Sequence, residues 1–136
     1  MKNYKGIILI VDDGEDLLDA LRAAFTLHGF FVYSYINGKS AIYAIKNQGI
    51  NYDLALIDLE MPGIGGDVVI DCSKKINPKI PVFCITAYDY RPANADELIQ
   101  KDTLAENILR IEKICMKQAQ KIKSEIKGEK NGTKTT

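Results

Sequence analysis

The chain has 136 residues, with 18 basic and 18 acidic side chains, one His and three Cys, so its formal charge is zero. That length suits one domain, and an apolar content of 46% supports a packed core and excludes a disordered chain. The charge balance argues against a uniformly basic nucleic-acid binder, and no apolar run approaches the ~20 residues that a membrane span needs.

Taken in chain order, the pattern alternates strands and helices. Ile7–Val11 is a continuous β-branched run, as expected of a strand buried on both faces. Acids follow it at once, so it does not read as a secretory signal. Leu17, Leu18, Leu21, Ala24 and Phe25 recur at helical spacing, and Gly29 stops that helix. Phe30–Ile36 is aromatic and β-branched, a second strand. Ser40–Asn47 predicts a short helix ended by Gly49. Leu54–Ile57 is a third buried strand, ending at Asp58. Met61–Gly66 is a loop by composition. Asp67 is expected to cap a helix through about Ile76, closed by Asn77-Pro78. Val82–Ile85 is a fourth strand and Leu98-Ile99 a weak fifth. A long helix starts at about Thr103, and disorder is expected after about Lys127. Cys72, Cys84 and Cys115 sit in apolar stretches and read as buried thiols of a cytoplasmic protein.

The alternation implies right-handed βαβ units, hence an α/β fold: a doubly wound parallel sheet with helices on both faces. In such folds the site lies beyond the carboxyl ends of the strands. Asp12 and Asp13 follow strand 1, Asp58 ends strand 3, Thr86 follows strand 4 and Lys101 follows strand 5. Three carboxylates at one sheet edge repel each other unless a cation joins them, and Mg²⁺ favours a few carboxylates with waters and phosphate oxygens. The plain alternative is that the acids favour the next helix N-terminus. Lys101 and Thr86 add an ammonium and a hydroxyl, a set suited to phosphoryl transfer onto a carboxylate. His28, beside Gly29, reads as a cationic partner for a helix C-terminus.

Charge is also divided along the chain. Residues 117–136 carry six Lys and two Glu, a balance of +4, so residues 1–116 carry −4. Five of the acids fall within residues 12–19.

Ile10-Val11-Asp12-Asp13, then Leu56–Gly63 with Gly66 after it, then Ile85-Thr86-Ala87, then Lys101, resembles the receiver domain of two-component response regulators. The resemblance covers about Lys5 to Met116. It implies five strands in the flavodoxin-like order 2-1-3-4-5. It implies Asp58 as the phosphoacceptor, taking its phosphoryl group from a phosphohistidine of a histidine kinase or phosphotransfer protein. Asp12, Asp13, Asp58 and the main-chain carbonyl of Glu60 would serve Mg²⁺. Thr86, Ala87 and Lys101 would receive the phosphoryl group, and Thr86 with Leu98 would occupy the switch positions.

Departures from the family pattern point to a rebuilt output surface. Only fourteen residues separate Thr86 from Lys101, and Arg91-Pro92 disfavours helix there, so the helix between strands 4 and 5 is expected to be short or absent. Leu98 is aliphatic where the family has an aromatic. Asp102 replaces the usual proline, so a trans Lys101–Asp102 bond is expected.

The resulting expectation is a stand-alone receiver (residues 1–116) with a lysine-rich helix extension and tail (residues 117–136), acting as a phosphorylation switch on a separate downstream protein. The alternatives are a pseudo-receiver that binds a partner without phosphorylation and a small Mg²⁺-dependent aspartyl-phosphate phosphatase. The last helix keeps an apolar spacing through Ile122 and Ile126, which reads as a fraying end or as a homodimer contact. The basic tail alone, without a helix-turn-helix pattern, argues against nucleic acid. Asn131-Gly132-Thr133 is a glycosylation pattern with no role in this setting.

Overall fold

The computed structural model describes residues 3–134, with side chains through residue 128. Five strands alternate with helices: β1 (Ile7–Val11), α1 (Glu15–Leu27), β2 (Phe31–Tyr35), α2 (Gly38–Lys46), β3 (Leu54–Asp58), α3 (Gly66–Ile76), β4 (Val82–Thr86), β5 (Glu97–Gln100) and α4 (Ile108–Lys134). The sheet is parallel throughout, in the order β2-β1-β3-β4-β5. This places β3, and Asp58 at its end, in the middle of the sheet.

Strand alternation divides the core in two. Ile8, Ile10, Leu54, Leu56, Phe83 and Ile85 face α1 and α4, where they meet Phe25, Ile111 and Cys115. Leu9, Val11, Ala55, Ile57, Val82 and Cys84 face the other way, onto Ala41, Ile45, Val69 and Ile70 of α2 and α3. A strand covered on both faces cannot use polar residues at alternate positions, which is why β1 is apolar throughout and β3 and β4 are apolar until their last residues. The edge strand β2 is half-buried throughout.

No helix joins β4 to β5. Residues 87–96 form an irregular loop. Pro92 is buried beneath it, and the Asp96 carboxylate accepts from the Val82 amide at 2.7 Å and pairs with Lys74 at 2.5 Å. Arg91 donates to the Ala95 carbonyl. These contacts take the place of helix packing on that edge of the sheet.

Several boundaries depart from expectation. The chain after β5 makes two 3₁₀ turns (Lys101–Thr103 and Ala105–Asn107) before α4 begins at Ile108 rather than Thr103. Thr103 Oγ1 bonds the Gln100 carbonyl, and Asn107 Nδ2 bonds the Thr103 carbonyl, which draws this stretch into tight turns. Asp67 does not cap α3: Gly65 is the cap residue and makes no side-chain bond, while Asp67 lies in the first turn, where its charge suits the helix dipole. Asn37 caps α2 through the Ser40 amide at 2.8 Å, so that helix starts earlier than expected. The last helix continues past Lys127 to Lys134, although that stretch holds two glycines, each costing about 1 kcal/mol in a helix interior. The Asn131-Gly132-Thr133 pattern falls in this stretch, beyond the described side chains.

His28 caps the C-terminus of α1, as its position suggests. Its Nδ1 also lies 2.5 Å from Glu112 of α4, a partner eighty-four residues away that local pattern cannot reveal. All three cysteines are free, with Cys84 and Cys115 buried and Cys72 half-buried. Among the described residues no helix is long and apolar enough to cross a membrane.

Candidate phosphoacceptor site

The carboxyl ends of β1 and β3 bring together one acidic cluster, with the ends of β4 and β5 beside it. Buried strands deliver their last side chains to this edge with little freedom. Asp12, just past β1, is 1% exposed, and Asp58, ending β3, is 0% exposed. Asp13 is exposed beside them. One carboxylate oxygen from each of Asp12, Asp13 and Asp58 lies within 4.8 Å of the others.

The hydrogen bonds around this trio are incomplete. Asp12 Oδ1 accepts from the Gly14 amide at 2.8 Å, while Asp12 Oδ2 is buried with no partner. Asp58 Oδ1 accepts from the Glu60 amide at 3.0 Å, and Asp58 Oδ2 faces Lys101 Nζ at 3.3 Å. A buried carboxylate oxygen without a donor is costly. Three hard carboxylate ligands from the ends of two adjacent strands, with one buried oxygen orphaned, fit a divalent cation such as Mg²⁺. The residues present therefore suit that ion.

The electrostatics follow from this crowding. Burial, reinforced by the charge of Asp12, pushes the Asp58 carboxyl up to about 6, against the opposing pull of the Glu60 amide and Lys101. Burial also raises Asp12, with the Gly14 amide and Lys101 opposing and Asp13 adding a little. Burial pulls the Lys101 ammonium down, but the combined carboxylates of Asp58, Asp12 and Glu60 outweigh it and leave its pKa above the ordinary value. Lys101 is thus engaged with Asp58 before any phosphoryl group arrives.

Thr86 ends β4 and is 1% exposed. Its Oγ1 lies 2.8 Å from both carboxylate oxygens of Glu60 and accepts from the Tyr88 amide at 3.1 Å. The Ala87 amide donates to Glu60 Oε1 at 2.9 Å. Glu60, expected to serve through its main-chain carbonyl, thus also enters the site through its side chain. No local pattern discloses it, because the pairing joins loops after β3 and β4, twenty-six and twenty-seven residues apart. Gly66 explains how α3 starts so close by: a Cβ there would stand 2.0 Å from the Asp58 carbonyl oxygen.

The structure therefore gathers Asp12, Asp13, Asp58, Glu60, Thr86, Ala87 and Lys101. Leu98 is not among them; it is half-buried against the core on the α2–α3 face. The Lys101–Asp102 bond is trans, and no cis peptide occurs among the described residues.

A doubly wound 2-1-3-4-5 sheet carrying an acidic trio, a strand-end hydroxyl and a lysine is the arrangement that the receiver-domain resemblance implies. The family model for the response regulator receiver domain matches residues 8–114, and the chain belongs to that family. A cyclic di-GMP phosphodiesterase of Thermotoga maritima is 35% identical over 101 residues, which cover 69% of this chain and 26% of that protein. The response regulator SaeR of Staphylococcus aureus is 31% identical over 80 residues, covering 59% of this chain and 34% of SaeR. The chain spans between 17% and 38% of the length of such curated relatives. Among solved structures, the response regulator TrrA of Thermotoga maritima, in complex with Mg²⁺-BeF, superposes with a TM-score of 0.65 at 32% identity, over 82% of this chain and 99% of that one. The receiver domain of the Francisella response regulator 1452 shares the fold, with a TM-score of 0.72 at 24% identity, over 84% of this chain and 98% of that one.

Proposed function

We infer that this chain is a phosphoacceptor switch of a two-component system, taking a phosphoryl group on Asp58 from a histidine kinase or phosphotransfer protein. The observation that carries the reading is the Asp58 carboxylate itself: fully buried at the end of the central strand, between an acidic pair and Lys101. With a pKa of about 6, Asp58 is mostly ionised at neutral pH and can act as a nucleophile. One of its carboxylate oxygens attacks the donor phosphorus. The bond from phosphorus to the donor's nitrogen breaks, and that pair of electrons leaves with the donor histidine.

Asp12, Asp13, Asp58 and the Glu60 carbonyl would hold Mg²⁺, which supplies positive charge against the carboxylates and the phosphoryl oxygens. Lys101 shifts from Asp58 towards the new phosphoryl oxygens as a charge-assisted donor. The Thr86 hydroxyl and the Ala87 amide would offer neutral donors to the same oxygens. The switched state then passes to a downstream protein. TrrA's complex with Mg²⁺-BeF supports the same ligand chemistry for a related domain.

A second reading, a partner-binding module that is never phosphorylated, is favoured by one observation: Thr86 and Ala87 already have an acceptor in Glu60. One experiment separates the two. The protein is incubated with Mg²⁺ and acetyl phosphate, and its intact mass is measured. A phosphoryl adduct on wild type and none on Asp58→Asn supports the switch. No adduct on folded wild type, nor on folded Glu60→Ala, supports the module.

A further inference from the structure

The donors that a phosphoryl group needs are already taken. Thr86 has one hydroxyl proton, and its oxygen already accepts from the Tyr88 amide, so that proton turns to Glu60. Ala87 has one amide proton, and it too points at Glu60 Oε1. Neither donor can serve two strong acceptors at once. A carboxylate carries the charge and lone pairs of a phosphoryl edge, so Glu60 presents to these donors what the phosphoryl group would present.

Glu60 is also built to leave. Its side chain is exposed, unlike Asp58 and Thr86. A hollow of about 240 Å³, lined by Leu59, Asp67, Tyr88, Tyr90 and Pro92, adjoins it. The hollow exists because residues 87–96 form a loop where a helix is missing. Asp67 on its wall discourages a settled second position for the carboxylate, so the displaced side chain faces solvent. The Glu60 charge also faces any incoming phosphodonor, together with Asp12, Asp13 and Asp58.

We propose that the Glu60 carboxylate is an anionic gate on the phosphoacceptor site, occupying Thr86 and Ala87 until a phosphoryl group on Asp58 displaces it. The gate slows phosphorylation, and its release frees Thr86 and the 87–96 loop to respond. This rests on the phosphoacceptor reading of Asp58. In the test reaction the Asp58 oxygen attacks acetyl phosphate, the phosphorus–oxygen bond to the acetyl group breaks, and acetate leaves with the electron pair.

The test compares wild type, Glu60→Ala, Glu60→Gln and Asp58→Asn, each as the full chain with Mg²⁺ and one acetyl phosphate concentration. The initial rate of phosphorylation is read by intact mass, and folding by circular dichroism. The Ala87 amide is followed by NMR without phosphodonor. Glu60→Ala is expected to phosphorylate about tenfold faster than wild type, the scale of one charge-assisted hydrogen bond released. Glu60→Gln falls between, since its amide oxygen still accepts but carries no charge. The Ala87 amide signal shifts in both. Equal or slower rates in both folded variants, with wild type phosphorylated, overturn the gate and leave the Asp58 reading standing. Adducts on Glu60→Ala but not on wild type support the gate in its strongest form. No adduct on any folded variant overturns the phosphoacceptor reading and the gate with it. An unmoved Ala87 signal overturns the gate whatever the rates.

Discussion

Replacing Asp58 by Asn should stabilise the protein at neutral pH in the absence of metal, although Asp58 is the residue on which the site turns. The folded-state pKa of Asp58 is about 6, against 3.8 for an ordinary carboxyl. At roughly 1.36 kcal/mol per unit, ionised Asp58 destabilises the fold by about 3 kcal/mol. Below pH ~3.8 the carboxyl is protonated in both states and the penalty vanishes. Between ~3.8 and ~6 the unfolded chain gives up its proton first, so stability falls as pH rises; above that window the full penalty applies. The asparagine introduced by Asp58→Asn would keep an oxygen for the Glu60 amide and carry no charge. It would also relieve Asp12, whose carboxyl Asp58 crowds. The lost partner Lys101 is 35% exposed on its side chain and returns to water. In EDTA at pH 7.5, urea or thermal denaturation should therefore place Asp58→Asn about 3 kcal/mol above wild type, on the order of 10 °C in Tm. At pH 5 about half of that gap should remain, and Mg²⁺ should close it by stabilising wild type. A variant no more stable than wild type at pH 7.5, or a gap unchanged at pH 5, refutes the reasoning.

Other expectations follow from the same geometry. Lys101→Ala should fold but lose about 1 kcal/mol at pH 7.5 without metal, since its partner is buried while Lys101 itself is partly solvated; urea titration should show the loss shrinking at pH 5, as Asp58 takes up a proton. Mg²⁺ at a hundred times its dissociation constant should raise stability by about 2.7 kcal/mol, and Asp13→Ala, at an exposed position, should abolish most of that gain while leaving metal-free stability nearly unchanged. Gly66→Ala should cost about 2–3 kcal/mol by denaturation despite alanine's better helix propensity, because the new Cβ meets the Asp58 carbonyl oxygen at 2.0 Å. Iodoacetamide at pH 8 should label Cys72 before Cys115, whose thiol burial pushes up to about 12; peptide mass mapping reads the order.

The buried strands and their terminal acids are legible in the sequence because burial on both faces forces long apolar runs, and a polar residue ending such a run stands out. Asp12, Asp58 and Thr86 are found this way. The missing helix before β5 is legible from Arg91-Pro92 and the short spacing to Lys101. The start of α4 is not, because side-chain bonds of Thr103 and Asn107 tighten residues 101–107 into turns against their helical pattern. Asp67 misleads because a helix N-terminus attracts acids both as caps and as first-turn charges, and only backbone geometry separates the two. The Glu60–Thr86 and His28–Glu112 pairings are invisible because they join distant segments through side chains with no periodic signal.

The claim that Asp58 is the phosphoacceptor is tested most directly by mapping the modified residue. After incubation with Mg²⁺ and acetyl phosphate, the acyl phosphate is trapped by borohydride reduction and the peptides are sequenced by mass spectrometry. Reduction at Asp58 alone, dependent on Mg²⁺ and on phosphodonor, is the predicted result. Reduction at Asp12, Asp13 or Glu60, or no reduced residue on folded protein, would contradict it.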